Sequence, residues 1–418
     1  MTKPDATRLA LLGGKPVRPE TLTCPPWPPI QEATAQRLAE VYRSGAWSFN
    51  GPEEKAFAQA FAEYHGATHG IMMANGTVTL ECALAVCGVG PGDEVIVPAL
   101  TWLATAMAVH YVGATPVFVD IEPTTFCLDP QKVRQALTEH TRAIIPVHIY
   151  SSMADMEALG RIAADNGLTI IEDCAHAHGG KWAGRGVGSW SSVGSFSFQQ
   201  SKTLTCGEGG ICITSDDGLA EKLMRRKHIG YAPGMAQGQA DSGPPAGLIC
   251  RNYRTTEFQA AILRDQLAEL PERIETYNRN AARLTERLAD VPSVRVQSPG
   301  RLADPQGYYT WMLAFDPEAI ADVPLSRLCE AFLAEGLPVV QTYGVVYRHV
   351  LYNMPEEDYR IAAGGCPVAE QMTQRQIVGL IHQWLSADAG TLDAIGEIIE
   401  KVAGNLLALA AAGAEEHA

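Results

Sequence analysis

The chain has 418 residues, 46% hydrophobic and 19% charged, which is enough for two soluble domains and too many for one ordinary core. Its 47 acidic and 32 basic side chains leave a formal charge of −15 at pH 7, which argues against nonspecific binding to nucleic acid or anionic lipid. No apolar run reaches the length of a signal peptide or a bilayer span, so a cytoplasmic setting is expected, with no membrane partner.

In chain order, an N-terminal arm over residues 1–35 leads into a region where short apolar runs alternate with helical patterns. The runs are VIVPAL (95–100), TPVFVDI (115–121), RAIIPVHIY (142–150), LTIIEDC (168–174), SVGSFSFQ (192–199) and GGICIT (209–214). Between them lie segments such as MADMEALGRIAADNG, which ends on a glycine stop. This alternation predicts an α/β domain with a mostly parallel sheet covered on both faces. From residue 258 apolar groups recur at 262, 263, 267, 270, 274, 277, 281, 284 and 288, the spacing of one long helix with Pro271 as a kink. Residues 295–400 read as a smaller α+β unit. The expected division is a large domain over 36–268, a small domain over 269–402 and a fraying tail over 403–418. Ten scattered cysteines without a CxxC pair read as reduced, buried hydrophobes, and no metal-binding constellation is expected.

Three features of the large domain carry chemistry. Gly76 and Thr77 open a helical run in MANGTVTLECALAV, and the unpaired amides of a helix N-terminus favour an anion. Thr77 equally suits an ordinary helix cap. The buried run LTIIEDC ends in Glu172 and Asp173, at the edge where an open α/β sheet binds ligands. Adjacent strand residues point to opposite faces, so only one of the two carboxylates meets a given ligand. Lys202 follows an apolar strand and Ser197, and a desolvated lysine loses its proton readily and can form a Schiff base with an aldehyde. An anion cradle, a carboxylate and such a lysine are together what pyridoxal 5'-phosphate requires.

The ordered motifs NGTVTLECAL, PALTWLATAMAV, PVFVDIEPTTFCLDP, AIIPVHIYSSMADM, IIEDCAHAHGG, GSFSFQQSKTLTCGEGG, NYRTTEFQAAILRDQL and CPVAEQM resemble the DegT/StrS-type sugar aminotransferases of fold type I. The resemblance runs from about residue 10 to residue 402. It implies a mainly parallel seven-stranded sheet, a small C-terminal domain and a homodimer with shared active sites. It makes Lys202 the Schiff-base lysine and Asp173 the partner of the pyridine nitrogen. It places Trp102 against the pyridine ring, Gly76, Thr77 and Ser197 around the phosphate, His176 near the 3-hydroxyl, and Asn252 across the dimer on the partner's phosphate. The segments LALLGGKPVRP, TWLATA and LIHQWLSAD resemble the branch that aminates keto-inositols, with aminohydroxybenzoate synthases nearby. The implied reaction moves an amino group from L-glutamine or L-glutamate to a cyclitol or sugar ketone in aminoglycoside-type biosynthesis. A dehydratase, a synthase of the aryl-acid kind and a non-catalytic PLP-binding regulator remain as alternatives.

Overall fold

The computed structural model describes residues 7–49, 51–235, 238–239, 241, 243–320 and 323–416. Seven strands between residues 69 and 214 form the main sheet: β1 (His69–Met73), β2 (Glu94–Pro98), β3 (Thr115–Val119), β4 (Thr141–Ile144), β5 (Thr169–Asp173), β6 (Val193–Ser197) and β7 (Gly210–Thr214). The segment EVIVP of β2 is buried at all of its positions, as a strand covered on both faces must be. A smaller sheet is built from β8 (Val294–Val296), β9 (Thr310–Phe315), β10 (Val340–Gln341) and β12 (Ile377–Ile381). Between β10 and β12 lies β11 (Arg360–Ile361), which leaves the smaller sheet and joins the main one.

The main sheet therefore has eight strands in the order β1-β7-β6-β5-β4-β2-β3-β11. All neighbours are parallel except β1 with β7 and β7 with β6. The eighth strand is too short and too polar in its flanks to show as an apolar run.

Two apolar cores divide the molecule. The larger one surrounds the main sheet and also takes in Val345, Val346, Tyr352, Cys366, Ala369 and Met372, so the chain beyond residue 269 serves both bodies. The second fills the space between the smaller sheet and the helices Leu325–Ala334 and Ala389–Ala403. One helix, Glu257–Arg287, crosses from one core to the other. Its first half buries Leu263, Leu267 and Leu270 in the larger core, and its second half buries Tyr277, Ala281 and Leu284 in the smaller. Thr256 and Gln259 close its N-terminus in a reciprocal capping box.

The N-terminal arm docks on the smaller body. Leu9 is fully buried there, and the solvent-inaccessible Glu335 accepts from Ala10 N at 2.7 Å, Val17 N at 2.9 Å and Lys401 Nζ at 2.9 Å. No helix among the described residues is long and apolar enough to cross a membrane.

Candidate active site

The C-terminal ends of β2, β5 and β6 open onto a cavity of about 470 Å³, at the edge where a parallel sheet collects ligands. Gly76, Thr77, Trp102, Asp173, His176, Ser197 and Lys202 all line it. Asn252 is not among its lining residues. It is exposed and pairs with His228 in an isolated antiparallel bridge.

One end of the cavity is made by the helix Gly76–Val86, capped by Asn75, whose Oδ1 accepts from Val78 N at 3.0 Å. The amides of Gly76 and Thr77 precede the first intrahelical acceptor and carry the positive end of the helix. Ser197, at the end of β6, stands against them. A Cβ on Gly76 would lie 2.7 Å from Ser197 Cβ, and one on Gly210 would lie 2.6 Å from the carbonyl carbon of Asn75. Only glycine lets these segments close so tightly, and the result is a cradle of amides and hydroxyls that any side chain would fill.

β5 delivers Glu172 and Asp173 to opposite sides. Glu172 is fully buried away from the cavity. It accepts from Gly188 N at 2.8 Å, Trp190 N at 2.9 Å and Ser191 Oγ at 2.8 Å, and meets His148 Nε2 at 3.0 Å. Cys174 completes a trio with His148 and Glu172 whose ligand atoms lie within 4.8 Å, but these hydrogen bonds already engage both carboxylate oxygens. Glu172 therefore anchors the 188–191 turn. Asp173 faces the cavity, its Oδ2 accepting from Thr105 Oγ1 at 2.8 Å and its Oδ1 from Ala175 N at 3.2 Å. Burial pushes its carboxyl above the ordinary value, while these two hydrogen bonds and the Lys202 charge pull it back.

Lys202 lies in the loop after β6, which is clamped on all sides. Gln266 of the long helix exchanges hydrogen bonds with Thr205 N and O at 3.2 and 2.7 Å, and Thr203 Oγ1 donates to Tyr308 O at 2.6 Å. His382 Nε2 donates to Ser201 O at 3.1 Å. The lysine itself is 9% exposed and enters no ion pair among the described residues. Burial holds its ammonium below the ordinary pKa, opposed by Tyr309 and Asp173.

The backbone also fixes the protonation of His176. Tyr150 N–H donates to Nδ1 at 3.2 Å, so the ring proton sits on Nε2, which faces the Tyr343 hydroxyl at 3.4 Å. Burial keeps this imidazole neutral, well below its ordinary pKa. The delivering residue is itself unusual: Tyr150 has φ 61°, a left-handed turn rare for an aromatic residue. That turn aims its N–H at His176 and its carbonyl at Tyr309 N, 2.9 Å away. Trp102 is 42% exposed at the cavity wall, edge-on to Tyr343 at 5.3 Å and to His349 at 5.9 Å, so it is no core tryptophan.

Sequence reasoning missed Thr105, Tyr309 and Tyr343, all of which line the cavity. Thr105 left a faint signal, a hydroxyl at the start of the apolar helix Ala104–Tyr111. The two tyrosines left none, because the smaller body brings them to the sheet edge from distant sequence.

A family model described as the DegT/DnrJ/EryC1/StrS aminotransferase family matches residues 28–400. The chain is 38% identical over 437 aligned positions to an L-glutamine:2-deoxy-scyllo-inosose aminotransferase of Streptomyces kanamyceticus, covering 97% of this chain and 99% of that one. A crystal structure of 3-amino-5-hydroxybenzoic acid synthase superposes with a TM-score of 0.82 at 33% identity, over 92% of this chain and all of the other. An S. venezuelae DesV structure in complex with a ketimine intermediate superposes with a TM-score of 0.77 at 32% identity, over 88% and 94% of the two chains.

Proposed function

The chain belongs to the DegT/DnrJ/EryC1/StrS aminotransferase family and is an aminotransferase, and from that premise we propose that it uses pyridoxal 5'-phosphate to aminate a keto-cyclitol. The amino donor in this reading is L-glutamine, the acceptor is 2-deoxy-scyllo-inosose or a close inosose, and the setting is aminoglycoside biosynthesis. The names of the relatives support donor and acceptor.

The observation that carries the cofactor is one cavity holding an anion cradle, a buried carboxylate and a buried lysine that enters no ion pair among the described residues. The cradle at Gly76, Thr77 and Ser197 has the polarity for a phosphate, with helix-terminal amides and a hydroxyl brought together where no Cβ fits. Bound there, pyridoxal phosphate supplies an aldehyde for amines and a ring that accepts electrons. Asp173, held by Thr105 and Ala175 N, keeps a proton on the ring nitrogen. Trp102 presents an aromatic face to the ring. His176, donor-only at Nε2, suits an oxygen acceptor such as the 3-hydroxyl. Lys202 Nζ takes the proton leaving the donor's Cα and later returns one to the acceptor carbon. In the same reading the protein works as a homodimer, with Asn252 reaching the phosphate of the partner.

The test follows one atom. With L-glutamine labelled with ¹⁵N at the α-amine and 2-deoxy-scyllo-inosose, the label is expected in the aminated cyclitol by mass spectrometry. No transfer to any inosose would remove the acceptor. A dehydrated or aromatised product would favour the alternative chemistries instead.

A further inference from the structure

In the proposed reaction Lys202 would be freed whenever a substrate amine took its place, and the free amine would then need somewhere to rest. Its Nζ lies 4.2 Å from the ring centroid of Tyr309, within the range at which an aromatic face attracts a cation. The ring is held firmly. The His176 imidazole stacks on it at 4.0 Å and 21°. Its hydroxyl meets Ser201 Oγ at 3.0 Å. Its backbone N–H donates to Tyr150 O at 2.9 Å, and its carbonyl accepts from His382 N at 3.1 Å. A tyrosine fixed by backbone, ring and hydroxyl is a rigid surface.

We propose that Tyr309 is a positioning residue whose ring face seats the free Lys202 ammonium between its two proton transfers. The proposal rests on Lys202 being the working amine. The groups facing that amine are Asp173 from β5, His176 and His178 after it, His382 from the smaller body, and the phenols Tyr309 and Tyr343. The three imidazoles are held neutral by burial. Asp173 is the one carboxylate among these groups, and its oxygens are engaged by Thr105 and Ala175. With no ion pair among the described residues, the ring face, 4.2 Å from Nζ, is a compensation at hand for the ammonium. Without it, only the Asp173 charge still opposes burial, and the amine loses its proton more readily and loses its place.

The test is a titration of Lys202 in the full-length protein, cofactor-free and again with pyridoxamine phosphate bound. Reductive ¹³C-methylation labels the lysines, and the signal missing from Lys202→Arg identifies Lys202. Tyr309→Leu is expected to lower its midpoint by about one pH unit, and Tyr309→Phe to leave it within a few tenths. Tyr309→Met replaces the leucine variant where the latter's circular dichroism departs from wild type. An unmoved midpoint without the ring overturns the seat. So does a phenylalanine shift as large as the leucine one, which would place the effect in the hydroxyl. Lys202→Arg separates the two layers. If it still forms the visible PLP absorbance, the working-amine reading falls; if it loses that absorbance while the ringless variants titrate normally, only the seat falls.

Discussion

The hydroxyl of Thr105 meets Oδ2 of Asp173 across 2.8 Å, so the carboxylate that faces the cavity is oriented by a neighbouring helix as well as by the turn that follows its own strand. Asp173→Asn is expected to fold normally and to lose on the order of 10²–10⁴ in transamination rate, because an amide cannot hold a ring proton. Thr105→Val should act through the same group. Removing a donor to the carboxylate raises its pKa further, so the acid limb of the pH–rate profile moves to higher pH. A profile identical to wild type would detach Thr105 from the chemistry.

Lys202→Ala should abolish ¹⁵N transfer while still retaining the cofactor through the phosphate cradle. Equilibrium dialysis with pyridoxal phosphate checks retention, and turnover near the wild-type rate would refute the role given to Lys202.

For Asn252 the decisive experiment is a mixed dimer. Lys202→Ala chains paired with Asn252→Ala chains place both defects in one site and neither in the other if Asn252 serves the partner. One fully active site per mixed dimer is then expected. If Asn252 serves its own chain, every site carries one defect and no intact site exists.

The segment carrying Asn252 is pinned by a buried charge. Glu81 receives Arg226 Nη2 at 2.7 Å, with both side chains 5% exposed, and Tyr253 Oη at 3.0 Å. Glu81→Ala strands the Arg226 guanidinium, and chemical denaturation should report a loss of about 3–5 kcal/mol. A loss below about 1 kcal/mol would mean that the guanidinium finds water or another partner.

Stability should also fall on the mildly acid side. Burial depresses His65 to about 4 and both His228 and His382 to about 3. Between pH 6.5 and those values the unfolded chain takes up protons that the folded chain refuses. The stability is complete above about pH 6.5 and declines as pH drops, at roughly 1.4 kcal/mol per pH unit for each such histidine. Thermal unfolding from pH 7 to pH 5, where most carboxylates are still ionised, tests this. A flat Tm across that range would contradict it.

Lys202 and Asp173 were legible because each sits beside a strand whose apolar run announces it, so chain position implied sheet position. Gly76 and Thr77 were legible for a similar reason, at the head of a recognisable helix. Tyr309 and Tyr343 were not, since nothing in their neighbourhood favours a cavity over a core and only the docking of the smaller body decides it. That Glu172 and Asp173 face opposite ways followed from strand alternation, but alternation did not say which one meets the cavity, and Glu172's partners in the 188–191 turn were not legible either. β11 escaped because two residues cannot display a period.

That short strand has a consequence for how the protein is made. Until Arg360 and Ile361 emerge from the ribosome, β3 has an open edge on the side they later cover. At ~5–20 residues per second the wait is on the order of 10–50 s. Tyr347, Tyr352 and Tyr359, which close around Phe118, arrive just as late. A nascent chain with the whole candidate lysine loop already translated therefore still presents a sticky, unpaired border. Shortened chains ending before residue 360 would keep that border for life, and their fate is self-association rather than a smaller working enzyme.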